Sequence, residues 1–141
     1  MIGSVAAATG AVATLLAVSS SGPFLPPIHG KALRVTEATV CAKGYSASVR
    51  PSPYYTNDLK AKQMDKWNLP GKLSDYEEDH FISLALGGNP TSPQNLWPQP
   101  WSQARADDVK EAKWYRDVCW YHKISLRQAQ QEERAWKLTH G

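Results

Sequence analysis

The first thirty residues contain no Asp, Glu, Lys or Arg, and Lys31 is the first of these to appear. Val5 to Val18 is apolar and rich in Ala, Thr and Gly. Ser19-Ser20-Ser21-Gly22-Pro23 and Leu25-Pro26-Pro27 follow. That order predicts an export signal with a small-residue cleavage zone, then a flexible linker. The usual basic start is missing from Met1-Ile2-Gly3-Ser4. Two alternatives therefore stay open. Met1 to Ser20 matches the ~20 residues that span a membrane, so it would also serve as an uncleaved tether. The start codon would otherwise lie within a longer coding region. The expected division is 1–30 for signal or anchor plus linker, and 31–141 for one folded domain.

Other absences narrow the field. No block of like charge occurs, which excludes a long basic tail for nucleic acid, and there are no internal repeats. There are 2 cysteines, Cys41 and Cys119, too far apart for a local Cys-x-x-Cys metal site. In an exported protein such a pair reads as a disulfide, typically contributing ~2–4 kcal/mol through the unfolded state. In a reducing compartment it reads as two buried thiols. The export reading favours the disulfide.

What is present fits one modest core. The 6 Trp and 6 Tyr supply buried surface, each with a polar handle that wants a partner. A net charge of +3 suits a protein that meets phosphates without demonstrating one. Residues 31–53 read as irregular or short-strand structure. A helix is expected from Thr56 or Asn57 through Trp67, closed by Asn68-Leu69-Pro70-Gly71. A hairpin follows, with one strand from Tyr76 to Leu84 and another from Asn95 to Trp97. The Gly87-Gly88 pair between them reads as a positive-φ turn or a close backbone approach to substrate. A helix from Ser102 to Tyr121 would bury Ala104, Asp108, Ala112, Tyr115 and Cys119, with Asp107 and Glu111 to one side. A last helix opens at Ser125 and ends near His140, with Trp136 and Leu138 available for packing.

The chemistry concentrates at Asp79-His80 and Asn95-Leu96-Trp97-Pro98. A carboxylate beside an imidazole offers one ligand for a hard cation and one base. Phosphodiester hydrolysis calls for both. Neighbours on a strand point to opposite faces, so a bend has to bring the two to one substrate.

These motifs, with Cys41, Gly44-Tyr45, Val49-Arg50-Pro51, Tyr55-Thr56-Asn57-Asp58-Leu59-Lys60 and Leu84-Ala85-Leu86-Gly87-Gly88, resemble the HNH, or ββα-metal, endonuclease superfamily. The resemblance spans residues 38 to 138. It is closer to small bacterial HNH-like proteins with the same Asp-His, Gly-Gly and Asn-Leu-Trp-Pro order. It implies an α+β fold, a hairpin-helix unit flanked by further helices. It also implies a nuclease acting on DNA, or on RNA, with little sequence preference. His80 would be the general base, oriented through its other ring N–H by a side-chain or main-chain carbonyl of Asn95. Asp79 would bind Mg²⁺ or Mn²⁺. The helix normally adds a ligand eight or nine positions after the Asn, where this chain has Gln103 and Ala104. Asp108 is the expected substitute, with Asp107, Glu111 and a water-mediated Gln103 as the other options. Arg50, Lys60 and Arg105 are the expected phosphate contacts. Trp97 and Trp101 would either stack on an unpaired base or pack the hairpin on the helix. His29, His122 and His140 show no ligand spacing. A catalytically silent scaffold that binds nucleic acid or another polyanion at the cell surface is the alternative.

Overall fold

The computed structural model describes residues 22–141. The expected signal or anchor lies mostly outside the described residues. Among those residues, no helix is long and apolar enough to cross a membrane.

The fold is mixed α+β. In chain order it has α1 (Glu37–Val40), α2 (Tyr45–Val49), α3 (Pro53–Lys66), β1 (Tyr76–His80), β2 (Leu96–Pro100), α4 (Trp101–Cys119) and α5 (Leu126–His140). β1 and β2 form an antiparallel pair, Tyr76 opposite Pro100 and His80 opposite Leu96. Two strands alone are marginal in water. Here α3 and α4 each pack against both of them. Pro98 and Pro100 are tolerated because a two-stranded sheet leaves β2 an outer edge that needs no donors.

Several elements differ from expectation for local reasons. α3 starts three residues earlier than Thr56, because Ser52 Oγ accepts the Tyr55 N–H and Pro53 takes the first helical position. Residues 31–53 hold two short helices, and an isolated bridge from Ala32 to Gly88 is their strand-like element. β1 stops at His80, where the chain bends, and a 3₁₀ turn occupies Leu84–Leu86. Ser125 caps α5 as expected, accepting the Gln128 N–H at 3.1 Å. Residues 22–30, expected as a linker, lie against the domain instead. Phe24 packs 5.8 Å from Trp97 and 6.4 Å from Trp67, ring centre to ring centre. Its backbone N–H donates to Gln103 Oε1, and its carbonyl accepts from Gln103 Nε2.

The core joins Val40, Ile82, Leu86, Trp114, Val118, Leu126 and Ala129, with Cys41 and Cys119 packed against it. These two cysteines stand at disulfide distance, Cα atoms 5.4 Å apart, and tie α1 to the end of α4.

The long connection from Phe81 to Asn95 is held by one side chain. Asn95 is fully buried. Its Oδ1 accepts from the Ile82 and Lys31 backbone N–H groups, and its Nδ2 donates to the Ile82 and Asn89 carbonyls. Gly88 lies so close that a Cβ there would overlap the Ile82 carbonyl oxygen. Gly87 has φ +80°, the left-handed region, with its Cβ position 2.6 Å from Val35. The glycine pair therefore serves packing within the domain. Truncating Asn95 leaves four backbone groups without partners. Asn95→Ala is expected to cost about 3 kcal/mol or more, read as a lowered denaturant midpoint at unchanged slope.

Candidate active site

β1 ends in Asp79 and His80, and the bend after them presents both to one cleft of about 140 Å³. Arg50, Glu77, Glu78, Ser83, Leu84, Asp108 and Glu111 also line it. Four consecutive positions of β1, Glu77 to His80, thus line one cavity.

His80 is buried, and its Nε2 lies 3.0 Å from the Pro90 carbonyl oxygen. A carbonyl only accepts, so Nε2 carries the proton and Nδ1 keeps its lone pair. Burial pushes the imidazole below its ordinary value of 6.5. The Pro90 bond and the Asp79 charge pull it up, and Arg50 and Lys137 add to the lowering. His80 is thus a neutral base at pH 7.

Asn95 does not touch the ring, contrary to expectation. Its main-chain carbonyl is taken by the Phe81 N–H at 2.7 Å. Its amide instead grips the Asn89 carbonyl, next to Pro90. Asn95 thereby sets the loop that holds His80.

Asp79 makes its contacts away from the ring. Its Oδ2 accepts from Trp97 Nε1 at 3.2 Å and from Lys137 Nζ at 2.7 Å. Lys137 is fully buried, and its Nζ also meets Glu111 Oε1 at 2.7 Å, the His80 carbonyl at 2.9 Å and Asp107 Oδ2 at 4.0 Å. Burial alone would lower the ammonium. The charges of Asp79, Glu111 and Glu133 override it and hold Lys137 well above its ordinary value. Glu111 and Glu133 are pushed up by burial, with Lys137 working against that.

The helix acids differ from expectation. The buried stripe of α4 carries Ala104, Asp107, Trp114, Asp117 and Val118 rather than Asp108 and Ala112. Asp107 accepts from Trp136 Nε1 at 2.7 Å and from Gln99 Nε2. Asp108 is exposed and lines the cleft from α4. Two inward positions of the helix carry acids: Asp107, whose partners include Trp136 and Lys137 of α5, and Asp117, which pairs with Lys113 one turn before it. Gln103 is taken up by Phe24 and the His140 carbonyl, and does not line the cleft.

The expected phosphate contacts separate. Arg50 is exposed at the cleft. Lys60 is buried and donates to the Tyr76 carbonyl at 2.9 Å, so it acts within the fold. Arg105 lines a different hollow, with Trp101 and Ser102. Trp97 is buried, whereas Trp101 is 51% exposed. Lys137 was absent from the sequence-based candidates. Its signal was the spacing Leu126, Ala129, Glu133, Lys137, which puts a Glu and a Lys on the apolar face of α5.

A hard divalent cation takes carboxylate oxygens, and the cleft is rich in them. Yet one oxygen each of Asp79 and Glu111 already bonds Lys137. Among the described residues, no three acidic, His or Cys side chains are arranged to hold a metal ion. Two of the residues weighed as ligands, Asp79 and Glu111, are thus paired with Lys137 as they stand. No family model matches the chain, and no curated protein or solved structure matches it.

Glu78 has both carboxyl oxygens buried without a hydrogen-bond partner. Burial lifts it from 4.5 to about 8, against the pull of Lys60. A carboxyl raised in the folded state contributes stability that is full below its ordinary value and lost as pH rises through the folded one. Glu78→Gln mimics the neutral acid. At about pH 9 the variant is expected to exceed wild type by about 1–2 kcal/mol, and below about pH 4 to match it. Chemical denaturation across that range measures the difference.

Proposed function

We propose that the protein is an endonuclease of the ββα type that hydrolyses nucleic-acid phosphodiester bonds at this cleft, with His80 as general base. The observation that carries the reading is the His80 ring: buried, neutral, fixed through Nε2, with Nδ1 free to accept a proton. Its position beside the Arg50 guanidinium supports it further.

In the step, a water oxygen attacks phosphorus while His80 Nδ1 takes its proton, the bond from phosphorus to the 3′ oxygen breaks, and the departing 3′ oxygen takes a proton from solvent water to leave as a hydroxyl. Arg50 pairs with a non-bridging phosphate oxygen and offsets the charge that develops there. Asp79 stays with Lys137 and Trp97 and holds the end of β1 in place. The resemblance implies Mg²⁺ or Mn²⁺. One oxygen each of Asp79 and Glu111 is engaged by Lys137, and the step as proposed is carried by side chains. DNA is the expected substrate and RNA the alternative, with little sequence preference. The Cys41–Cys119 pair supports an oxidising compartment, and hence export or an outward-facing tether.

A second reading has a specific observation behind it. The ion pairing of Asp79 and Glu111 with Lys137 suits a non-catalytic scaffold that binds nucleic acid or another polyanion. Plasmid DNA and an RNA transcript, incubated with Mg²⁺, Mn²⁺ or EDTA, separate the two. Wild type is expected to cleave at least one substrate and to keep cleaving in EDTA. His80→Ala, still folded by circular dichroism, should lose about 10²-fold or more. The rate should rise with pH through a value below 6.5, because only the neutral ring accepts the proton, and fall again as Glu77 and Glu78 ionise at about 7 and about 8. Retention of substrate without cleavage in every arm favours the scaffold. Loss of cleavage in EDTA returns the cation to the mechanism.

A further inference from the structure

We propose that Lys137 is the resident cation of the acidic cluster, holding a place a divalent ion would otherwise take, so that removing its ammonium opens a divalent-cation site. This rests on the surroundings of Lys137 and stands apart from the hydrolytic reading.

Three elements converge on the ammonium. β1 supplies the Asp79 carboxylate and the His80 carbonyl, and α4 supplies Glu111, all within 2.9 Å of Nζ. Asp107 of α4 follows at 4.0 Å. The shell is entirely oxygen, from charged carboxylates and a main-chain carbonyl, which is the donor set of hard divalent ions. Such ions hold the same oxygens at roughly 2.0–2.6 Å. A contraction of a few tenths of an ångström separates the two occupants.

An independent observation points the same way. Glu133 sits one turn before Lys137 on α5, fully buried, and its Oε1 accepts the Ser83 N–H. Its Oε2 has no hydrogen-bond partner. One ammonium therefore serves more carboxyl oxygens than it can bond. A doubly charged ion would balance the cluster more fully. Lys137 itself is no nucleophile, since its acidic neighbours keep it protonated.

The test uses the full chain, with Mn²⁺ binding by calorimetry and Tb³⁺ luminescence sensitised by Trp97, whose indole contacts Asp79. Wild type is expected to bind Mn²⁺ no tighter than about 1 mM, and Lys137→Met to bind about tenfold tighter or more. Adding Asp79→Asn or Glu111→Gln should remove that gain. The melting temperature of Lys137→Met should rise with Mn²⁺ while that of wild type stays put. Lys137→Met/Glu133→Gln, which removes one charge of each sign, takes the same measurements if the single variant does not fold. Variants that bind no tighter than wild type, or that no divalent ion stabilises, overturn the proposal. So does submillimolar Mn²⁺ binding by wild type that Asp79→Asn abolishes.

Discussion

One buried ammonium joins the end of the hairpin to both long helices. Lys137 bonds Asp79 and the His80 carbonyl on β1 and Glu111 on α4, and its own backbone lies on α5. Placing a charge in the interior costs several kcal/mol, and only close, well-formed contacts with opposite charge offset it. Those contacts exist only when β1, α4 and α5 hold their present positions. The ion cluster is therefore a condition on the tertiary arrangement, where a hydrophobic contact would accept many nearby arrangements. Its cost shows in Glu111 and Glu133, whose carboxyls are pushed above their ordinary range by burial despite the lysine.

His80 is fixed from the opposite direction by neutral groups. Asn95 uses all of its amide valences on backbone atoms and holds Asn89 in place, and Asn89 Oδ1 in turn accepts from the Thr91 and Ser92 N–H groups. Between them runs Pro90, whose carbonyl accepts the imidazole proton. Gly87 and Gly88 let this loop lie directly on Val35 and Ile82. The ring is thus set by a chain of hydrogen bonds without a charged member.

Local signals in the sequence carried some of this well. Apolar spacing and caps located the hairpin and both long helices within a few residues, and the Asp-His pair marked the cleft that β1 lines. The rest depended on partners distant in the chain. Asn95 was assigned to His80 because a strand partner was expected to act directly, whereas its contacts lie one loop away. Lys60 is expected at a phosphate, but the helix turns it inward to the Tyr76 carbonyl. Asp107 and Glu111 fell outside the apolar pattern because the lysine that makes them tolerable lies on another helix. Periodicity weighs hydrophobicity, and an inward stripe neutralised by a remote charge is invisible to it.

The same cluster governs how a phosphate could approach. Glu77, Glu78, Asp79, Asp108 and Glu111 line the cleft, and Arg50 is the exposed cation among its lining residues. If every carboxyl were ionised, an incoming phosphodiester would meet a wall of like charge. Burial and mutual repulsion lift Glu77 to about 7, and burial lifts Glu78 to about 8, so near neutrality part of that charge is absent. Lys137 cancels more of it from beneath, through Asp79 and Glu111. On the proposed reading a phosphate would enter at Arg50, in the cleft that His80 also lines. Raising the pH further gains no base, since His80 is already neutral, and it closes the door, since ionising Glu77 and Glu78 restores the repulsion that burial had removed. If the cleft hydrolyses phosphodiesters as proposed, its activity would be bounded on the acidic side by His80 and on the alkaline side by Glu77 and Glu78.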